Sequence, residues 1–257
     1  MTGPAALLWD VDGTLAETER DGHRVAFNGA FEALGVPWRW DAERYGALLA
    51  VAGGRERLLH DMAARDDAPA TPDERLALAR ELHARKNAIY AELVGGGRVP
   101  LRAGVRELLE ECRTQGLGLG IATTTSRANV AALLEGHLGA AWPAWFGVIV
   151  CGEDVARKKP DPAVYQAALH GLGLVAARAL AIEDSPAGVA AARAAGVPVI
   201  VTRSVYFATG ELPGALAVGD GLDQPATWHP SPAAAATGRV SLDDLRRWHA
   251  TGEHAPD

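Results

Sequence analysis

Residues 10–14 read "DVDGT" and follow a short apolar run, "AALLW", at residues 5–9. This junction constrains the chain most. The apolar run reads as a buried strand, and Gly13 then lets the backbone turn. Two acids close the strand, although like charges in a poorly solvated setting repel and are expensive to desolvate. Either a cation lies between Asp10 and Asp12, or one carboxylate turns away from the other.

Similar runs recur: "LGLGIAT" at 117–123, "FGVIV" at 146–150, "ALAIE" at 179–183 and "VPVIV" at 197–201. Ala/Leu-rich stretches with helical spacing fall at 105–114, 127–137, 162–171 and 186–195. Alternation of this kind predicts an α/β fold, a parallel sheet with helices on both faces. Such sheets carry their chemistry at the carboxyl ends of the strands.

Residues 18–95 break the alternation. They read as helix at 21–34, 42–50, 55–64 and 72–93 and end in the triple glycine of 95–97. The pattern predicts an all-helical cap domain, 18–95, inserted into a core formed by 1–17 and 96–225, with flexible joins near 15–18 and at the glycines. Residues 226–257 form a Pro/Ala-rich linker and a last helix, "SLDDLRRWH", with Ser241 as N-cap and Asp243 in the first turn. That helix either docks on the core or serves a neighbouring chain.

A second acidic pair, Glu183 and Asp184, closes another strand. Each acid alone could start a turn or cap a helix, as Asp184–Ser185–Pro186 would. Two pairs at two strand ends instead make a hard-oxygen cation site, suited to Mg²⁺. Thr123 closes a third strand in "ATTTS", where a hydroxyl beside free helix amides can hold a phosphate; Ser126 in the same stretch reads as the helix N-cap. In "RKKPDP", Lys159 precedes a proline and would stabilise transferring phosphoryl oxygens. Together these groups suit phosphoryl transfer. Asp10 would attack phosphorus and ligate the metal. Asp12 would offer its backbone carbonyl to the metal and keep its side chain for acid–base work.

A net charge of −7 disfavours long nucleic acid and anionic membranes as partners. The two cysteines, Cys112 and Cys151, suggest reduced thiols rather than a disulfide framework. No run of about 18 apolar residues offers a membrane span. The chain does not open on a basic segment followed by a long apolar stretch, so no signal peptide is expected and the cytoplasm is the default compartment.

The four motifs, in this order, resemble those of the haloacid dehalogenase superfamily. The resemblance implies a Rossmann-like core with a helical cap inserted after the first motif. "DVDGTLAETERDGHRVAFN", "GGRER", "ATTTS" and "EDSPAGVAAARAAG" are further similar to the CbbY family of phosphatases, which accompany Rubisco in Calvin-cycle organisms. That similarity implies a Mg²⁺-dependent phosphatase acting on xylulose 1,5-bisphosphate, a Rubisco inhibitor, through a phospho-aspartate. By match, Asp10 is nucleophile, Asp12 acid/base and Asp184 a metal ligand, with Glu183 supporting the metal directly or through water. Thr123, Thr124 and Lys159 hold the transferring phosphate. Arg55 and Lys86 match basic cap positions and would clamp the second phosphate. Glu17 is a candidate for sugar hydroxyls and His23 for proton shuttling or substrate contact, while Trp38 and Trp40 pack the cap or shape the pocket. The family is commonly monomeric.

Three readings compete with this one. A phosphomutase of the β-phosphoglucomutase type shares the nucleophile, acid/base and cap. A phosphatase for another sugar phosphate or for phosphoglycolate shares the core motifs. A non-catalytic phosphometabolite sensor would lack at least one of Asp10, Asp12, Lys159 or Asp184, and all four are present.

Overall fold

Ala6–Trp9 (β1) is buried at every position, because it lies mid-sheet with neighbours on both edges. In this computed structural model the described residues are 3–51, 53–232 and 238–252. Parts of the expected linker and terminus, 233–237 and 253–257, lie outside them, as do 1, 2 and 52. The other strands are β2 (Gly118–Ala122), β3 (Val148–Val150), β4 (Ala179–Glu183), β5 (Val199–Thr202) and β6 (Val218–Gly219). Every pairing is parallel, in the order β3-β2-β1-β4-β5-β6. The chain winds outward both ways from β1. Its carboxyl end, with those of β2 and β4, therefore meets at the crevice where ligands bind in sheets of this type.

One sheet face packs against α5 (Val105–Thr114) and α6 (Arg127–Leu138) through Val105, Leu108, Leu109, Val130, Leu133 and Leu134. The other packs against α7 (Ala163–Leu172) and α8 (Pro186–Ala194) through Val164, Tyr165, Ala168, Val189 and Ala192. The α/β arrangement expected from the alternation is the one observed. β6 is an addition, and at two residues it carries too little pattern to read. The run at 146–150 supplies only three strand residues, because Trp142–Trp145 forms a 3₁₀ turn and Trp142 packs edge-on against Phe146.

Between β1 and α5 the chain forms α1 (Arg24–Ala33), α2 (Ala42–Leu48), α3 (Gly54–Ala63) and α4 (Pro72–Gly95). A π-helical turn, Glu19–His23, leads into α1. α4 starts at a capping box, with Thr71 accepting from the Glu74 amide, Glu74 answering the Thr71 amide and Pro72 in the first turn. These helices enclose a core of their own, built on Phe27, Phe31, Trp38, Trp40, Tyr45, Leu58, Met62 and Leu82. Trp38 and Trp40 donate to Asp67 and Asp61, and both serve packing. The two chain crossings lie side by side: Ala16 bridges Leu101, and the Arg102 amide donates to the Leu15 carbonyl at 2.8 Å.

The last helix, α9 (Leu242–Gly252), docks on this chain's own core. Leu242, Leu245 and Trp248 join the α5-side cluster, and Trp248 stacks on Trp228 with ring centroids 4.9 Å apart. The Leu242 amide donates to Glu111 of α5. Truncating a buried Trp removes its contacts and leaves a cavity, so Trp248→Ala is expected to lower unfolding free energy by about 3 kcal/mol in urea titrations. Turnover per folded molecule should stay within about twofold of the parent, since neither ring lines the cavity between the sheet and the helical segment.

Candidate active site

β1, β2 and β4 end at neighbouring points, which brings their terminal side chains together. Lys159, from the segment after β3, reaches into this junction. Its Nζ donates to Asp10 Oδ1 at 2.6 Å, to Glu183 Oε1 at 2.6 Å and to the Ala122 carbonyl at 2.8 Å. An ammonium has three hydrogens, and all are used. Tyr165 donates to Glu183 Oε1 at 2.5 Å, the Asp184 amide approaches Glu183 Oε2 at 3.3 Å, and Thr14 donates to Asp10 Oδ2 at 3.3 Å. Asp184 accepts from Ser204. Gly13 has φ +85°, and a Cβ there would overlap the Asp184 carboxylate, so both turn and spacing require glycine.

Ligand oxygens of Asp10, Glu183 and Asp184 lie within 4.8 Å of one another. Three buried carboxylates face a single ammonium. Burial pushes Asp10 up to about 7, against the pull of Lys159 and with the push of Glu183. Burial also drives Asp184 well above the usual carboxylate range, helped by Asp10 and Glu183. Lys159 loses solvation, yet the two acids hold its charge above the ordinary lysine range. A divalent cation would offset the surplus negative charge and reverse the shifts on the acids. The all-oxygen donor set fits Mg²⁺. Within this cluster Glu183, expected beside the metal, has its closest contacts with Lys159 and Tyr165 and so anchors the lysine.

Asp12 turns out of the cluster. Its Oδ1 accepts from Thr18 at 2.6 Å and from His23 Nε2 at 3.1 Å. Lys86 Nζ donates to His23 Nδ1 at 2.7 Å. An ammonium only donates, so Nδ1 accepts and Nε2 carries the hydrogen given to Asp12. Burial would raise Asp12, but His23, Thr18 and Lys86 outweigh it and bring the carboxyl down to about 2. Burial lowers Lys86 to about 8. The His23 ring stacks on Tyr90, centroids 4.2 Å apart. The second answer to the junction puzzle holds: Asp12 swings away to Thr18 and His23, while the lysine cation lies between Asp10 and Glu183.

A cavity of about 240 Å³ opens between these groups and the helical segment. Asp12, His23 and Lys86 line it from one side and Thr124, Thr125 and Ser126 from another. Thr123 is buried behind them and accepts the Thr125 amide at 3.3 Å. Two of the expected residues lie outside that lining. Arg55 is exposed and pairs with Glu56 at 3.1 Å, whereas Arg57 lines the cavity. Two residues advance an α-helix by about 200°, so α3 turns Arg57 inward and Arg55 out. Arg57 donates to Tyr45 and to the Leu48 carbonyl and faces Glu19 at 3.7 Å. Glu17 is also elsewhere: it accepts the Val205 amide and faces Arg102 at 3.8 Å, in a second cavity behind the crossings. Glu19, which accepts from Tyr45, lines the first cavity in its place. His83 and Lys158 complete that wall. Arg57 was discoverable from helical phase, had the start of α3 been placed at Gly54.

A family model described as haloacid dehalogenase-like hydrolase matches residues 4–196. The chain belongs to the haloacid dehalogenase-like hydrolases. It is 47% identical over 245 residues to the plasmid-borne CbbY protein of Cupriavidus necator, covering 95% of this chain and 96% of that one. It is also 47% identical over 201 residues to CbbY of Rhodobacter capsulatus, covering 78% and 86%. Among solved structures, a variant of CbbY from Rhodobacter sphaeroides in complex with xylulose 1,5-bisphosphate superposes with a TM-score of 0.78 at 40% identity, over 85% of this chain and 94% of that one. The core motifs and the six-stranded parallel sheet are thus those of a hydrolase in this family.

Cation binding at the acid cluster should stabilise the fold by linkage. Millimolar Mg²⁺ is expected to raise the melting temperature of the parent protein. Gly13→Ala, which crowds Asp184, should abolish that rise while remaining folded by circular dichroism.

Proposed function

We propose that this hydrolase is a Mg²⁺-dependent phosphatase that removes one phosphate from xylulose 1,5-bisphosphate. The observation that carries the reading is the buried Asp10–Lys159 pair close to Asp12, which lines a cavity also lined by Arg57 and Lys86 of the helical segment. A nucleophile on the sheet and cations on the helices suit a substrate with two phosphates. The similarity to CbbY, and the xylulose bisphosphate bound in a solved relative, support the choice of sugar. In this reading residues 18–95 are the cap, 1–17 and 96–225 the core, and 226–257 a tail. The enzyme works as a cytoplasmic monomer on a small molecule and clears a Rubisco inhibitor in Calvin-cycle metabolism.

The chemistry follows from the geometry. An Asp10 carboxylate oxygen attacks phosphorus, the bond from phosphorus to the sugar oxygen breaks, and an acyl phosphate forms on Asp10. Lys159 and the Thr123–Thr124 turn hold the phosphoryl oxygens as charge builds on them. Asp10, Asp184 and the Asp12 carbonyl would hold Mg²⁺, with Glu183 in support, and the ion supplies positive charge that offsets the acids and the phosphoryl oxygens. The leaving oxygen takes a proton from Asp12. In the arrangement seen, Asp12 is held ionised, so its proton comes through His23, which in turn is bonded to Lys86. Water then attacks the acyl phosphate, its proton passes to Asp12, and inorganic phosphate leaves. Arg57 and Lys86 hold the second phosphate, and closure of the cap over it excludes bulk water.

Phosphate release decides the reading. With Mg²⁺, xylulose 1,5-bisphosphate should release inorganic phosphate faster than ribulose 1,5-bisphosphate, β-glucose 1-phosphate or phosphoglycolate, and Asp10→Asn should abolish it. Turnover of β-glucose 1-phosphate to another sugar phosphate without phosphate release would establish the mutase instead. Loss of a charge-assisted bond to phosphate is worth about 2 kcal/mol. Arg57→Ala should therefore raise KM about tenfold or more, and Arg55→Ala less than about threefold.

A further inference from the structure

Arg102 follows the second crossing between the helical segment and the sheet, and its side chain is 12% exposed. Its guanidinium donates to four backbone carbonyls drawn from three separate segments. One is Gly13, inside the first acidic motif. Two are Thr202, at 3.0 Å, and Arg203, at 2.6 Å, where β5 ends. The last is Asp220, at 2.6 Å, after β6. Its Nε faces Glu17 of the first crossing at 3.8 Å, and its own amide donates to Leu15. A guanidinium presents five N–H donors in a rigid fork, and no other side chain can join several segments in one plane in this way.

Two of the three joined segments touch Asp184. Gly13 lies against its carboxylate, and Ser204, the residue after Arg203, donates to it. Gly13 also follows Asp12 directly. Arg102 feels the Asp184 charge but bonds the backbone on either side of that carboxylate, and it does not line the cavity that Asp12 and Arg57 share. We propose that Arg102 is a positioning residue, whose guanidinium ties the Gly13 turn to the loop after β5 and thereby holds Asp184 in register with Asp10 for cation binding. The inference rests on the reading of Asp10 and Asp184 as cation ligands. Arg102 thus acts at the back of the site, from the cavity that also contains Glu17.

Arg203 provides a matched control. Its side chain also donates to two carbonyls, Phe207 at 3.0 Å and Gly210 at 2.7 Å, but these lie within its own loop and leave Gly13 untouched. The experiment is Mg²⁺ titration by calorimetry on the parent, Arg102→Met and Arg203→Met, followed by steady-state phosphate release at saturating Mg²⁺. Groups that orient metal ligands are typically worth about tenfold or more in affinity or activity. Arg102→Met should bind Mg²⁺ about tenfold more weakly and lose kcat by about tenfold, with KM within about threefold of the parent. Arg203→Met should match the parent in Mg²⁺ affinity within about twofold, whatever its melting temperature. If Arg102→Met does not fold, Arg102→Lys is measured in its place, because it keeps the charge but reaches fewer carbonyls. Equal Mg²⁺ affinity in the parent and the Arg102 variant, or an equal loss in Arg203→Met, overturns the inference alone. A parent that takes up no Mg²⁺ overturns the cation reading and this inference with it.

Discussion

The contact on which the site depends is the Lys159 ammonium, fully bonded between Asp10, Glu183 and the Ala122 carbonyl. A lone buried charge is costly to desolvate, and so is a buried pair unless every lone pair and hydrogen is satisfied. Here the ammonium meets its share of that condition, with all three hydrogens used. Three strand ends and the segment after β3 must sit in fixed register for it to do so, and the parallel order with β1 central supplies that register. One ammonium cannot balance three acids, which leaves an oxygen-lined, negatively charged point at the mouth of the sheet. A phosphate would be repelled from that point without a cation and drawn to it with one.

The helical segment acts on this core through few groups. His23 and Lys86 reach from its helices to Asp12, so the protonation of a core acid is governed by side chains on another element. Asp10 is held by Lys159 and Thr14 of the core, and Asp12 by Thr18 and His23. The two neighbouring carboxylates are pushed in opposite directions, Asp10 raised and Asp12 lowered, and a divalent cation beside Asp10 would favour its ionised form. Motion of the helical segment against the core would change the second setting and leave the first intact.

The strand-end groups were legible in the sequence for a physical reason. Asp10, Thr123, Glu183 and Asp184 each follow an apolar run, and in a parallel sheet the end of a run fixes a place in space. Lys159 was marked by its proline and by the company it keeps. The cavity wall opposite was harder. Arg55 and Arg57 share one short helix, and which of them points inward depends on where that helix begins, a choice made by Gly53 and Gly54 rather than by periodicity. Glu17 and Glu19 were separated by the π-helical turn at Glu19–His23, which no apolar pattern announces. Tyr165 looked like a core residue of α7 and is one, apart from the hydroxyl that reaches Glu183. Arg102 carries no motif, because its partners are backbone carbonyls from distant parts of the chain.

The central claim is that Asp10 becomes covalently phosphorylated during turnover. Rapid acid quench of the Mg²⁺-loaded enzyme with phosphate-labelled xylulose 1,5-bisphosphate, followed by peptide mapping, tests it most directly. The account predicts a transient, base-labile label of up to about one phosphate per chain, confined to the peptide that contains Asp10. Full-rate phosphate release with no protein-bound label, or a label on any other residue, would contradict it.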